Sequence, residues 1–220
     1  MSAMTLVIGN KNYSSWSLRP WLLLRQLGLS FDELRLPLDT AEFDERIKAL
    51  SPSGRVPVLQ HAGRVIWDSL AIIEYVNDVL APGRAWPQEA GSRAQARCYA
   101  AEMHSGFFAL RNEMPMNIRA RRRVQPSADC LADIARIQAL WTDARSAHAA
   151  DGPWLFGEFC AADAMFAPVV LRLRTYGVAL SPPLAAYCDT LIGCAPMQAW
   201  IAAALQETEI LSADEAGEER

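Results

Sequence analysis

Histidine is scarce in this chain, with three among 220 residues. The five cysteines, Cys98, Cys130, Cys160, Cys188 and Cys194, form no CxxC pair and stand at no His/Cys spacing suited to zinc. That pattern argues against a metal site and for reduced, mostly buried thiols. No apolar run approaches the roughly 20 residues of a membrane span. The opening "MSAMTLVIGN" lacks the charged region, long apolar core and cleavage site of a secretory signal, so a cytoplasmic location is expected. An excess of basic charge is missing too: the formal net charge is −4, which offers no general nucleic-acid footprint. No internal repeat is present. What remains is an ordinary soluble composition, 51% hydrophobic and 21% charged, long enough for one large domain or two small ones.

Two composition regimes divide the chain. Over the first 80 residues short β-rich runs alternate with helical stretches. "TLVIG" (5–9) reads as a strand, and residues 15–27 as a helix closed by Gly28. "FDELRLPL" (31–38) alternates like a strand that Pro37 ends or confines to an edge. Residues 39–51 carry Phe43, Ile47 and Leu50 at helical spacing behind Asp39 or Thr40 as cap. Residues 55–67 read as a hairpin around Gly63, and 69–80 as an amphipathic helix. The order is β-α-β-α-β-β-α. A Pro/Gly-containing linker (81–91) follows, and beyond it the strand signal disappears. Helices are expected over 92–113, 127–149, 161–175, 184–194 and 197–209, broken at Pro115, Pro126, Gly152-Pro153, Pro182-Pro183 and Pro196. The polar tail, 212–220, is expected to be poorly ordered. A mixed α/β domain (1–80) followed by an all-helical one (92–211) accounts for both regimes.

The stretch "NYSSWSLRPWLLLRQLGLS" (12–30) sets Ser14, Ser15 and Ser17 at the mouth of the first helix, where one capping hydroxyl would suffice. Either these serines cap, or one hydroxyl serves something other than its own backbone. Several further pieces stand in a telling order: "SPSGRVPVL" (51–59), "DSLAIIEYV" (68–76), "LFGEFCAADAMFAPVV" (155–170) and "APMQAWIAA" (195–203). Together with the serine-rich entry to the first helix, they resemble the cytosolic glutathione transferase superfamily over nearly the whole chain. The resemblance implies a thioredoxin-like N-terminal domain, a helical-bundle C-terminal domain, glutathione as co-substrate and a two-fold homodimer. "SSWS" (14–17) is similar to the "SSCS" of zeta-class members, with Trp16 in place of their cysteine.

On that resemblance Ser14 is the candidate catalytic residue, with Ser15 and Ser17 beside it. Glutathione's thiol, like that of free cysteine, has a pKa near 8.5, so little is thiolate at neutral pH. A helix N-terminus and a hydroxyl donor both favour the anion, and one or two pKa units correspond to about 1.4 to 2.8 kcal/mol. Ser14 would stabilise the anion rather than act as nucleophile, since no local His or Asp could deprotonate it. The resemblance also implies a cis Val56–Pro57 bond that turns the Val56 main chain toward the cysteinyl backbone of glutathione. Ser69 and nearby main chain would take the γ-glutamyl carboxylate, and Asp68 its ammonium; many members carry Glu or Gln there. Arg55 either meets the glycyl carboxylate or is a surface arginine.

Cys160 and Asp163 occupy the place of a family capping box and read as structural. A second substrate site is expected between the domains. It would use Trp16, Met103, His104, Phe107, Phe108 and Arg111 as an apolar wall with one or two cations; a core stripe with a solvated basic end is the competing reading. The run Arg119, Arg121, Arg122, Arg123 could steer anions, contact a partner subunit or solvate a loop. The function expected is a glutathione-dependent transferase or isomerase acting on a small electrophile, without metal, membrane or nucleic acid. The alternative is a non-catalytic glutathione-binding or scaffold protein on the same fold. A thiol–disulfide reductase is disfavoured, because serine at position 14 cannot form a mixed disulfide.

Overall fold

The computed structural model describes residues 4–219. Its central sheet has the order β2-β1-β3-β4, built from β1 (Met4–Ile8), β2 (Asp32–Arg35), β3 (Val58–His61) and β4 (Arg64–Trp67). β1 runs parallel to β2 and antiparallel to β3, with Leu6 opposite Glu33 on one side and Leu59 on the other. Alternation along β1 sends its side chains to two cores. Leu6 and Ile8 pack with Leu18, Leu22, Ile72 and Ile73, from α1 (Ser15–Gln26) and α3 (Ser69–Tyr75). Val7 packs with Leu36, Val58 and Ile47, the last from α2 (Ala41–Leu50). Thr40 caps α2 by accepting the Phe43 N–H at 3.1 Å. The β3–β4 hairpin turns through Ala62 and Gly63, both at positive φ (50° and 73°), the conformation that matches strand twist in a two-residue turn.

The remainder is helical: α4 (Ala90–Ser105), α5 (Phe108–Glu113), α6 (Ala128–His148), α7 (Ala161–Tyr176), α8 (Pro182–Gly193) and α9 (Ala195–Ala204). α7 is the central post and packs against α1, α4 and α8. All but one of its residues are buried, which its near-continuous apolar sequence requires. Asp163 secures its start by accepting the N–H of Cys160 at 2.9 Å and of Leu155 at 3.1 Å. The architecture is a thioredoxin-like mixed sheet with helices, followed by a helical region.

Four expectations from the sequence are corrected. The helix expected over 92–113 is two helices. Gly106 separates them in an extended conformation, and a Cβ there would sit 2.9 Å from the Glu102 carbonyl oxygen. The last helix stops at Ala204 rather than 209. The strand signal does not vanish altogether: β5 (Arg122–Arg123) pairs antiparallel with β6 (Glu218–Glu219). The tail is therefore built into the molecule as far as Glu219. Residues 1–3 and 220, which the expected first domain and tail included, lie outside the described residues.

All five cysteines are free; Cys130, Cys160 and Cys188 are buried, Cys194 half-buried and Cys98 exposed. Among the described residues no helix is long and apolar enough to cross a membrane, and no cluster of His, Cys, Asp or Glu could hold a metal ion.

Candidate active site

None of the three serines caps α1 with its side chain. Ser14 holds the N-cap position at φ −76°, ψ 84°, but its hydroxyl makes no capping bond. It donates instead to Ser17 Oγ at 2.7 Å, and Ser17 Oγ also accepts the Gly9 N–H at 3.1 Å. The end of β1 and the mouth of α1 are thus joined through one hydroxyl. Ser15 Oγ accepts from Arg172 of α7 at 3.3 Å. Ser14, Ser15 and Ser17 are all buried. Tyr13, directly before Ser14, is engaged elsewhere: its hydroxyl donates to Glu215 at 2.7 Å and accepts from Arg119 at 2.9 Å. Burial and the neighbouring Glu215 carboxylate raise its pKa above the usual phenol value.

A cavity of about 340 Å³ collects the other motif residues. Trp16, Ser53, Arg55, Val56, Pro57, Trp67, Asp68, Ser69 and His104 line it, and the Val56–Pro57 bond is cis. Asp68 sits at φ 75°, outside the comfortable region for a side chain with a Cβ. Its Oδ1 caps α3 by accepting from Leu70 (2.8 Å) and Ala71 (3.3 Å). Its Oδ2 lies 3.2 Å from His104 Nε2. The capping role that Ser69 might have taken therefore falls to Asp68. Ser69 is left fully buried with no partner for its hydroxyl among the described residues. An orphaned hydroxyl at a cavity wall, beside the exposed main chain of a helix start, is a ready donor for a carboxylate. Burial, with Arg19 and Arg111 adding to it, pushes the His104 pKa below its usual value against the pull of Asp68. A neutral ring protonated at Nε2 can donate to Asp68.

Guanidinium groups surround Trp16. Arg19 lies 4.1 Å from its ring centre and Arg111 4.8 Å, while the His104 ring meets it edge-on at 5.3 Å. Arg19 is 1% exposed, and its Nε and Nη1 have no hydrogen-bond partner among the described residues. Burial drives its pKa well down, Arg111 and Arg172 push the same way, and Asp68 opposes them. Cationic charge thus accumulates behind the cavity, where it favours anions.

The expected second-substrate wall does not assemble. Met103 and Phe107 are core residues, 1% and 7% exposed, whereas Phe108 is 67% exposed. Arg111 folds back on the end of α4: its Nε donates to Gly106 O at 2.9 Å, and Nη2 to the Met103 and His104 carbonyls. Its guanidinium thereby closes the end of α4. Of that set, Trp16 and His104 alone reach the cavity. Three residues escaped the sequence reading: Ser53, Trp67 and Arg19. Ser53 lies inside the 51–59 motif, and Trp67 directly precedes the 68–76 one. Arg19 carried a signal of its own, a lone charge inside the apolar run "SLRPWLLL". A larger cavity of about 640 Å³, around Trp86, His148 and Phe156, touches the 155–170 motif at Phe156, Glu158, Phe159 and Cys160 but contains none of the candidate glutathione-site residues.

Residues 13–79 match the family model described as "Glutathione S-transferase, N-terminal domain". Rat (Rattus norvegicus) maleylacetoacetate isomerase is 29% identical over 170 residues, covering 76% of this chain and 77% of that protein. Protein LigF of Sphingobium sp. is 34% identical over 79 residues, 34% of this chain and 30% of LigF. Among solved structures, a glutathione transferase homologue from Burkholderia, with bound glutathione, superposes with a TM-score of 0.69 at 24% identity, over 93% of this chain and 98% of that one. That likeness is one of fold.

Proposed function

We propose that this chain, a member of the glutathione S-transferase superfamily, is a glutathione-dependent transferase or isomerase acting through Ser14. The observation that carries the reading is the buried, unpartnered Ser69 hydroxyl on the wall of a cavity shared with Val56, Asp68 and His104. Glutathione fits what that wall offers. Ser69 and the start of α3 would take its γ-glutamyl carboxylate, and Asp68 Oδ2 its ammonium. The Val56 main chain would pair with the cysteinyl unit, and Arg55 would stand near the glycyl carboxylate.

The thiol would then approach the mouth of α1, where Ser14 waits with a hydroxyl free of capping. Hydroxyl hydrogens rotate to suit their partners. Ser17, anchored by Gly9 N–H, can donate to Ser14 Oγ in place of accepting from it. That reversal frees the Ser14 proton to point at sulfur. The helix start and the Arg19 charge add a favourable field for thiolate. The thiol proton is released to water, and the thiolate attacks an electrophilic carbon to form a C–S bond as either a leaving group such as halide departs or a conjugated C=C π bond opens to a carbanion. Loss of the leaving group, or protonation of the carbanion by water, gives a conjugate; rotation about the new single bond and re-formation of the C=C with expulsion of the thiolate gives an isomer. Trp16 and His104 border the space the electrophile would enter. We further propose a cytoplasmic homodimer, as the superfamily resemblance implies.

Calorimetry tests the binding half of the reading. Ser69→Ala removes a hydrogen bond to a charged group, about 1.5–3 kcal/mol, and should weaken glutathione binding roughly 10- to 150-fold. Unchanged affinity would remove the cavity from consideration. Turnover of an activated nitroaryl halide, or glutathione-dependent cis–trans isomerisation of an activated olefin, separates an enzyme from a scaffold, which would bind glutathione and do neither.

A further inference from the structure

The loop between β1 and α1, which delivers Ser14, is held in large part by residues near the far end of the chain and by the 117–119 segment. Both oxygens of the Glu207 carboxylate are used there: Oε1 accepts the Lys11 N–H at 2.7 Å and Oε2 the Asn12 N–H at 2.9 Å. The Lys11 carbonyl accepts from Trp200 Nε1 at 2.9 Å. Asn12 is fully buried, donating to Asn117 Oδ1 at 3.0 Å and accepting the Arg119 N–H at 2.9 Å. The Tyr13 hydroxyl is fixed by Glu215 and Arg119. Arg119 also holds the carbonyls of Glu207 and Glu209, and Arg122 binds the Glu215 carboxylate. Arg119 and Arg122 of the basic run therefore serve this chain's own tail. Ser14 follows directly, its N–H donating to Asn10 O at 2.8 Å.

We propose that Glu207 is a positioning residue for Ser14: by clasping the Lys11 and Asn12 main chain it fixes where the Ser14 hydroxyl sits. Glu207 touches neither sulfur nor electrophile in this scheme. Its effect passes through two consecutive peptide groups, two and three residues before the serine. A carboxylate suits the task because it presents two acceptors to two adjacent N–H groups, each bond being charge-assisted. Glu215 plays a lesser part through Tyr13. The proposal rests on Ser14 stabilising the thiolate, so its test keeps the two claims apart.

The thiol pKa of bound glutathione is read by ultraviolet thiolate absorbance against pH in wild type, Ser14→Ala, Glu207→Ala, Glu207→Gln and Glu215→Gln. Amide hydrogen exchange at Lys11 and Asn12 is followed in parallel. Glu207→Ala should raise the thiol pKa by about one unit and lower kcat by up to about 10-fold where the bound thiol is mostly protonated, with KM for glutathione within about threefold, because what is lost is ionisation of the sulfur and not the contacts that hold the rest of glutathione. Glu207→Gln keeps one acceptor and should fall between, and Glu215→Gln should shift the pKa less than either. If Ser14→Ala raises the thiol pKa while the Glu207 variants leave it at the wild-type value despite faster exchange at Lys11, the positioning role is overturned and the Ser14 reading stands. If Ser14→Ala changes nothing, both fail. A Glu207→Ala chain that does not fold leaves Glu207→Gln and Glu215→Gln to decide, and unchanged thiol pKa values in those two overturn the role as well.

Discussion

Ser14 and Ser15 are neighbours of the same type, yet the fold sets them different tasks. Ser15 accepts from Arg172 of α7, whereas the Ser14 hydroxyl donates to Ser17, whose oxygen is already tied to Gly9. Ser17→Ala should therefore leave Ser14 in place but without its anchor, giving part of the Ser14→Ala effect on the bound thiol; glutathione titration of the two variants side by side checks this. The serine cluster, the Val56-Pro57 step and the Asp68-Ser69 pair were legible because each is a local motif read along a few residues. The division of labour inside the last pair was not. Which of Asp68 and Ser69 caps α3 depends on Asp68 taking a φ of 75°, and no propensity assigns that conformation to aspartate at a helix start.

At the scale of elements, periodicity showed which face of a helix is apolar but not what covers it. Met103 and Phe107 read equally well as core or pocket, and burial decides for the core. The break at Gly106 then turns Arg111 back onto α4, a contact whose geometry depends on the break itself. α7 carries a sharper consequence. Burial raises the Asp163 pKa from 3.8 to about 6, while its bonds to Cys160 and Leu155 oppose the shift. A folded pKa above the unfolded one means that its contribution to stability is full below about pH 4 and is lost as pH rises through about 6. Between pH 5 and pH 8 this amounts to about 1.4 kcal/mol. Urea unfolding of wild type and Asp163→Asn at those two pH values should show the wild-type advantage shrinking by about that much at the higher pH. A difference that grows with pH would mean that the backbone bonds hold the carboxylate ionised.

For the whole molecule, the β-α-β-α-β-β-α order and the switch to helices were readable from local patterns. The closure of the chain on itself was not. Lys11 and Glu207 are 196 positions apart, and a tail of mixed polar residues gives no periodic sign that its carboxylates will meet a distant loop. The same tail neutralises part of the basic run, so that face should not behave as an open anion-binding surface. Light scattering should return twice the 24.3 kDa chain mass if the molecule pairs as its superfamily resemblance implies. A single-chain mass at working concentration would contradict the dimer while leaving the site intact, because every residue assigned to it here comes from one chain.

The most direct test of Ser14 as the stabiliser of a glutathione thiolate is the pKa of the bound thiol itself, followed by ultraviolet absorbance in wild type and Ser14→Ala, with binding confirmed by calorimetry. A wild-type value about one to two units below the free thiol's value near 8.5, restored toward it by the substitution, is the predicted result. Glutathione bound with an ordinary thiol pKa in both proteins would contradict it.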